Sequence, residues 1–287
     1  PASTALLSGI NQVRSNRFVV GVLARDLAAE KPVKSALLPD STLYQRPEIG
    51  PLHTKPAATT LNSVSGQRFQ TLSAETIAFS YTADRSVVFE NLSFEINAGE
   101  TVGLVGPSGA GKSTLADLLL GFLDPTAGRV LVNGTDLRGA LGDWQSMVAY
   151  IPQQSYLIDD SLRRNVALGV ADAEINDDKV RAALIDAQLG EVLRELPKGL
   201  DTLLGERGVR FSGGQRQRVS IARALYHDRD FLVLDEATSA LDDETEREIV
   251  ETIRSLKGKK TILLISHRES TLAVANRYIS IKAKNTH

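Results

Sequence analysis

The sequence predicts an α/β fold with a parallel-sheet core, an antiparallel β lobe on its N-terminal side and a separate helical lobe. Three observations predict it. The apolar run Thr101–Val105 leads into Gly106-Pro-Ser-Gly-Ala-Gly-Lys-Ser-Thr114, and a helix-like segment starts at Leu115. Strand, glycine-rich loop and helix in that order are one parallel α/β unit. Two further apolar runs, Phe231–Leu234 and Thr261–Ile265, flank a charged amphipathic segment over 242–256. That is strand–helix–strand alternation. Between 159 and 226 the pattern is helical, with Val180, Leu184 and Ala187 on one face and Val219, Ala222 and Leu225 on another.

The 287 residues suffice for one large domain with appendages. Hydrophobic residues make up 42% and charged residues 24%, the balance of an ordinary folded α/β protein. A net charge of −2 gives no whole-chain basic field to argue for nucleic acid. Cysteine is missing, which excludes disulfides and Cys-ligated zinc. No apolar run reaches the ~18 residues that a bilayer span needs. The chain begins at Pro1 rather than Met and has no signal-peptide pattern, as expected of a piece of a longer protein.

In chain order, residues 1–30 carry a helical stripe of Leu6, Ile10, Val13, Val20 and Leu27, interspersed with Arg14, Arg17 and Arg25. Two readings stand: a helix packed on the domain that follows, or the basic end of a membrane helix lying upstream. Residues 31–70 hold Pro32, Pro39, Pro47, Pro51 and Pro56 among polar residues, which reads as an extended linker. The globular domain is expected from 71 to 287. Ser73–Tyr81 and Val87–Ile96 alternate as an antiparallel pair. Gly128–Val132 is a strand ending in the turn Asn133-Gly134. Ala149–Ile151 is a short apolar segment, and Tyr278–Ala283 reads as a last edge strand.

The chemistry starts at the glycine-rich loop, which fits G-x-x-x-x-G-K-[ST]. Gly106, Ser108, Gly109, Ala110 and Gly111 let the backbone curl so that N–H groups face one anion, aided by the helix N-terminus. Lys112 is expected at the β- and γ-phosphates and Ser113 on Mg²⁺, with Thr114 completing the loop. Phe231-Leu-Val-Leu-Asp-Glu236 is an apolar strand ending in two carboxylates. There Asp235 is suited to hold Mg²⁺, and Glu236 to act as general base on an attacking water. Ser212-Gly213-Gly214-Gln215 opens another helix with small residues, either a second anion cradle or a simple cap before a solvated basic face.

Ser212-Gly-Gly-Gln215 resembles the signature motif of ATP-binding-cassette (ABC) ATPases, and other elements of that family occur in its order. Tyr81 is similar to the aromatic that stacks on adenine. Gln153 resembles the Q-loop glutamine, Ser239-Ala-Leu-Asp242 the D-loop, and His267 the switch histidine. Phe211 departs from the leucine that the family usually has there. The resemblance covers residues 71–284 and implies a P-loop NTPase fold with a helical signature subdomain at about 155–226. It also implies ATP and Mg²⁺ as ligands. Catalysis would fall to Glu236, His267, Gln153 and Lys112, and metal binding to Ser113, Gln153 and Asp235. Two copies would meet head to tail, each ATP lying between one phosphate loop and the other chain's Ser212–Gln215.

Gly205-Glu206-Arg207-Gly208 resembles the exporter X-loop, which with the Gln153 loop would contact the coupling helices of a transmembrane domain. Residues 156–165 and 199–205 are similar to the lipid-linked oligosaccharide flippase branch. An exporter ATPase on the cytoplasmic face of a membrane, joined to it through an upstream segment, is the reading these residues carry. The alternative is a soluble ABC-type ATPase acting on nucleic acid or ribosomes. That class predicts a coiled-coil insertion, paired cassettes or a basic stripe, and none is visible.

Overall fold

The computed structural model describes residues 68–81, 87–205, 211–238 and 241–281. The helix expected at 1–30, most of the linker, Glu206–Gly208 and Ser239–Ala240 lie outside the described residues. The chain divides into two units, 1–64 and 65–287, and everything below concerns the second.

The first strands, β1 (Thr71–Ser80) and β2 (Val87–Asn97), pair antiparallel, as their alternation predicts. β3 (Thr101–Val105) enters the core and is followed by α1 (Lys112–Leu119). β4 (Ala127–Val132) returns to β1, and a two-residue turn joins it to β5 (Thr135–Asp136). The turn residues Asn133 and Gly134 have φ 49° and 77°, the left-handed pair that a tight hairpin requires. These strands form one four-stranded antiparallel sheet in the order β2-β1-β4-β5.

α2 (Leu141–Met147) then leads into β6 (Val148–Ile151). The helical lobe holds α3 (Leu162–Val166), α4 (Asp177–Asp186) and α5 (Gly190–Glu195), and α6 (Gly213–Tyr226) brings the chain back to the core. β7 (Phe231–Asp235), α7 (Asp243–Leu256), β8 (Thr261–Ile265), α8 (Glu269–Leu272) and β9 (Arg277–Ser280) complete it. The second sheet is parallel, in the order β6-β7-β8-β3-β9. β7 and β8 read as continuous apolar runs because both faces of a parallel sheet are covered. β9 is the edge strand that the sequence predicts.

Side chains from distant segments fasten the layers. Phe69 is buried against Trp144 and Phe231 in tilted and edge-on ring contacts. The Trp144 indole N–H donates to the Leu119 carbonyl at 2.8 Å, tying α2 to the end of α1. Among the described residues no helix is long and apolar enough to cross a membrane.

The half-buried His227 gives the domain a pH dependence. His227 follows α6 and its Nε2 bonds the Leu168 carbonyl at 3.0 Å, as the N–H tautomer must. Burial, and then the charge of Arg229, push its pKa down to about 4, against the pull of the Leu168 bond. The folded protein therefore resists a proton that the unfolded chain accepts near pH 6.5. Stability rises with pH wherever the unfolded state binds more protons, so it falls as pH drops from about 6.5 to 4. The expected loss is about 2–3 kcal/mol. Urea midpoints measured across that window for wild type and His227→Gln should diverge, with the wild type falling more steeply. Parallel curves would contradict the assignment.

Candidate functional site

Sheet register assembles the site. Leu104 of β3 pairs with Ile265 of β8, Ile265 pairs with Asp235 of β7, and Leu234 of β7 pairs with Ile151 of β6. Four strands therefore end level with one another. The residues that follow them are Gly106–Thr114, Ser266–His267, Glu236 and Gln153. Ligands of open parallel sheets bind in the crevice outside the strands' carboxyl ends. The predicted residues thus meet there although up to 161 positions of sequence, from Gly106 to His267, separate them.

The glycine-rich loop has the shape of an anion cradle. Gly111 has φ 94°, and a Cβ on it would lie 2.3 Å from Val88 Cγ1, so only glycine fits the turn into α1. No side chain caps the N-terminus of α1 and no acid lies in its first turn. A helix end of that kind favours a negative ligand. Lys112 is 6% exposed, and its Nζ donates to the carbonyls of Gly106 and Pro107, both at 2.9 Å. Burial lowers its pKa, while the charges of Glu236 and Asp235 act the other way. An ammonium group thus sits between the loop and two carboxylates. This donor set suits a triphosphate with a divalent cation, to which Ser113, Asp235 and Gln153 offer hard oxygen ligands. Ser113 and Gln153 are exposed and Asp235 half-buried.

Glu236 sits at φ 50°, in a left-handed conformation that few non-glycine residues adopt. Its N–H donates to the Ile265 carbonyl at 2.7 Å, continuing the sheet past the end of β7. His267 Nε2 lies 3.5 Å from Glu236 Oε1. Backbone strain held in place by a sheet is typical of functional sites. At the other flank, Tyr81 is 41% exposed and edge-on to Phe79, with its hydroxyl 3.0 Å from Thr114 Oγ1. An aromatic face is therefore presented beside the start of α1.

The Ser212–Gln215 stretch lies elsewhere. Ser212 caps α6 and accepts from the Gln215 N–H at 3.2 Å, while Gln215 Oε1 accepts from the Ser212 N–H at 2.9 Å. A hydroxyl that accepts in this way can still donate its own proton outward. A Cβ on Gly214 would lie 2.0 Å from Thr245 Cγ2, so glycine lets α6 pack onto the start of α7. Asp242 caps α7 by accepting from the Thr245 N–H at 2.9 Å, a bond that lowers the pKa of its carboxyl. α6 is fastened to the loop after β6, whereas Lys112 follows β3, three places along in the order of the sheet. The described contacts of Ser212–Gln215 and those of Lys112 share no residue. Within one chain the capped start of α6 and the cradle at the start of α1 are therefore built from different contacts.

Three sets of contacts around the crevice have no signal in the sequence. The Tyr150 hydroxyl donates to Asp235 Oδ2 at 2.9 Å and so orients that carboxylate. Arg268 donates to Glu246 and, at 2.8 Å, to the Leu241 carbonyl. With the Ser270–Glu246 bond and the buried Thr238–Thr271 bond of 3.0 Å, it stitches the segment after His267 to the residues around Asp242. Gln217 is the third. Each joins residues more than ten positions apart, and only the fold brings them together.

A nucleotide crevice at the ends of a parallel sheet, beside an antiparallel sheet and a helical lobe, defines a P-loop NTPase. Residues 89–239 match the ABC transporter family, and the chain belongs to it. That span includes Gly106–Thr114, Gln153, Ser212–Gln215, Asp235 and Glu236, while Tyr81 and His267 lie outside it. The chain is 43% identical over 210 residues to the ATP-dependent lipid A-core flippase of Ralstonia nicotianae, covering 72% of this chain and 36% of that protein. To the heterocyst differentiation ATP-binding protein HepA of Nostoc sp. it is 45% identical over 204 residues, 71% of this chain and 33% of that one. The lipid A-core flippase of Desulfotalea psychrophila is 36% identical over 280 residues, 97% of this chain and 46% of that protein. Among solved structures, a bacterial Atm1-family ABC exporter with ATP bound matches with a TM-score of 0.66 and 37% identity, over 76% of this chain and 38% of the other. The chain thus spans about a third to a half of the length of these relatives.

Proposed function

We propose that the chain is the ATP-hydrolysing part of an ABC exporter that moves a lipid-linked or amphipathic substrate across a membrane, and that it works as a head-to-tail pair. The observation that carries this is that the Ser212–Gln215 end of α6 and the Lys112 cradle share no described contact within one chain. A clamp that closes on one triphosphate from both sides then needs a second copy. Gly106–Thr114, with Tyr81 against the base, holds ATP on one chain. Ser212, Gly213, Gly214 and Gln215 of the other chain complete the site. Glu236 takes the proton of the attacking water, and His267 and Gln153 sense the γ-phosphate. Mg²⁺, held by Ser113, Gln153 and Asp235, supplies charge neutralisation there. Attack of the water breaks the γ-phosphorus bond to the bridging oxygen, leaving ADP and inorganic phosphate; departure of that phosphate takes away the charge that bridges the halves, so the pair opens.

The relatives' names and the reach of the D. psychrophila match through the N-terminal segment support the exporter reading over the soluble one. On this reading residues 1–30 are the helical end of a transmembrane domain, 31–70 a linker and 71–287 the ATPase. Gly205–Gly208 and the Gln153 loop meet that domain's coupling helices on the cytoplasmic face of the membrane.

Ser212→Arg tests the pairing. The variant is expected to bind ATP as a single chain with unchanged affinity, because Ser212 takes no part in that chain's own cradle. It should lose ATP-dependent pairing, because a guanidinium fills the cap where phosphate must approach. A normal ATP-dependent pair in light scattering would refute the composite site.

A further inference from the structure

Gln217 is 3% exposed, in the second turn of α6. Its Nε2 donates to the Pro152 carbonyl at 3.0 Å and to the Gln153 carbonyl at 2.7 Å. Its Oε1 accepts from the Ser155 hydroxyl at 2.5 Å. A side-chain amide has two donor hydrogens and two acceptor lone pairs, so three of its four positions are filled. All three partners lie in the loop after β6 that carries Gln153. A buried amide satisfied in this way resists displacement, since moving it strands polar groups at about 1–3 kcal/mol each. Gln217 is also part of a continuous helix that starts at Ser212, five residues or about 7.5 Å away. A shift of residues 152–155 must therefore move the Ser212 end of α6 or break these bonds.

We propose that Gln217 is a positioning residue coupling the Gln153 loop of a chain's own nucleotide site to the helix end that this chain offers to a second copy's triphosphate. The inference rests on the paired-site reading above. Nucleotide in one crevice moves Gln153, Gln217 passes the shift to α6, and Ser212–Gly214 is presented more readily by a loaded chain. The two sites of a pair then fill cooperatively.

The test uses the 287-residue chain carrying Glu236→Gln, which is expected to accumulate as an ATP-held pair. Gln217→Met keeps the side chain's size and removes all three bonds. In that background it should leave the ATP affinity of the single chain within about twofold by calorimetry and weaken ATP-dependent pairing about tenfold by sedimentation, the low end of what three hydrogen bonds contribute net. In the Glu236-containing chain, cooperativity of hydrolysis in ATP concentration should fall. A role confined to holding the lobe together would lower the melting temperature followed by Trp144 fluorescence and leave pairing intact, which overturns the proposal. If Gln217→Met does not fold, Ser155→Ala decides. It removes one of the three bonds from the exposed side and should weaken pairing in the same direction by about threefold. Unchanged pairing in Ser155→Ala then overturns the coupling. A failure of the Glu236→Gln parent itself to pair would instead defeat the composite-site reading, and this inference with it.

Discussion

Glu236→Gln is expected to bind ATP with undiminished affinity, to hydrolyse it roughly 10²–10⁴-fold more slowly, and to accumulate as an ATP-dependent pair. The substitution keeps the shape of the side chain and removes its capacity to take a proton. The backbone at this position is fixed from outside, by φ 50° and the 2.7 Å bond to the Ile265 carbonyl, so the amide should occupy the carboxylate's place. His267, 3.5 Å away, keeps its position but faces a neutral partner. One negative charge fewer beside Lys112 also reduces repulsion of the triphosphate. Phosphate release and light scattering on the same preparation read both effects. Full turnover in the variant would remove Glu236 from the role of base.

Lys112→Ala is expected to weaken ATP binding by roughly 10–100-fold, the loss of one or two charge-assisted hydrogen bonds. The geometry explains why so much rests on one side chain. Lys112 is the cation that the loop encloses, and the Gly106 and Pro107 carbonyls hold its Nζ where the loop converges. Without it, Asp235 and Glu236 face the triphosphate with no ammonium between. Calorimetry measures the affinity directly, and an unchanged constant would contradict the cradle.

The contrast between what the sequence makes legible and what it hides follows from how far each signal reaches. β3, β7 and β8 stand out because strands covered on both faces leave short apolar runs. The Asn133-Gly134 hairpin is legible because left-handed φ values demand those residue types. α2 is not legible. It has seven residues, no side-chain cap and only Trp144 and Met147 buried, too little for a stripe. In the site, the loop at 106–114 and the acids at 235–236 are local in sequence and carry their chemistry with them. Tyr150 on Asp235, Gln217 on the Gln153 loop and Arg268 on Glu246 depend on sheet register and helix packing, which no short window contains. Tyr81 stands out only through the family resemblance, and its hydroxyl bond to Thr114 emerges only with the fold.

If each chain carries two different halves of a clamp, two differently defective chains should repair each other when mixed. Lys112→Ala spoils the phosphate loop and Ser212→Arg spoils the helix end, so neither variant alone should hydrolyse ATP. In a mixed pair, the loop of the Ser212→Arg chain meets the helix end of the Lys112→Ala chain and forms one intact site. With random pairing, about half the pairs are mixed and half their sites are whole, so phosphate release should recover to at most about a quarter of the wild-type rate, and to less where the two sites cooperate. A mixture no more active than its separate components would contradict the account.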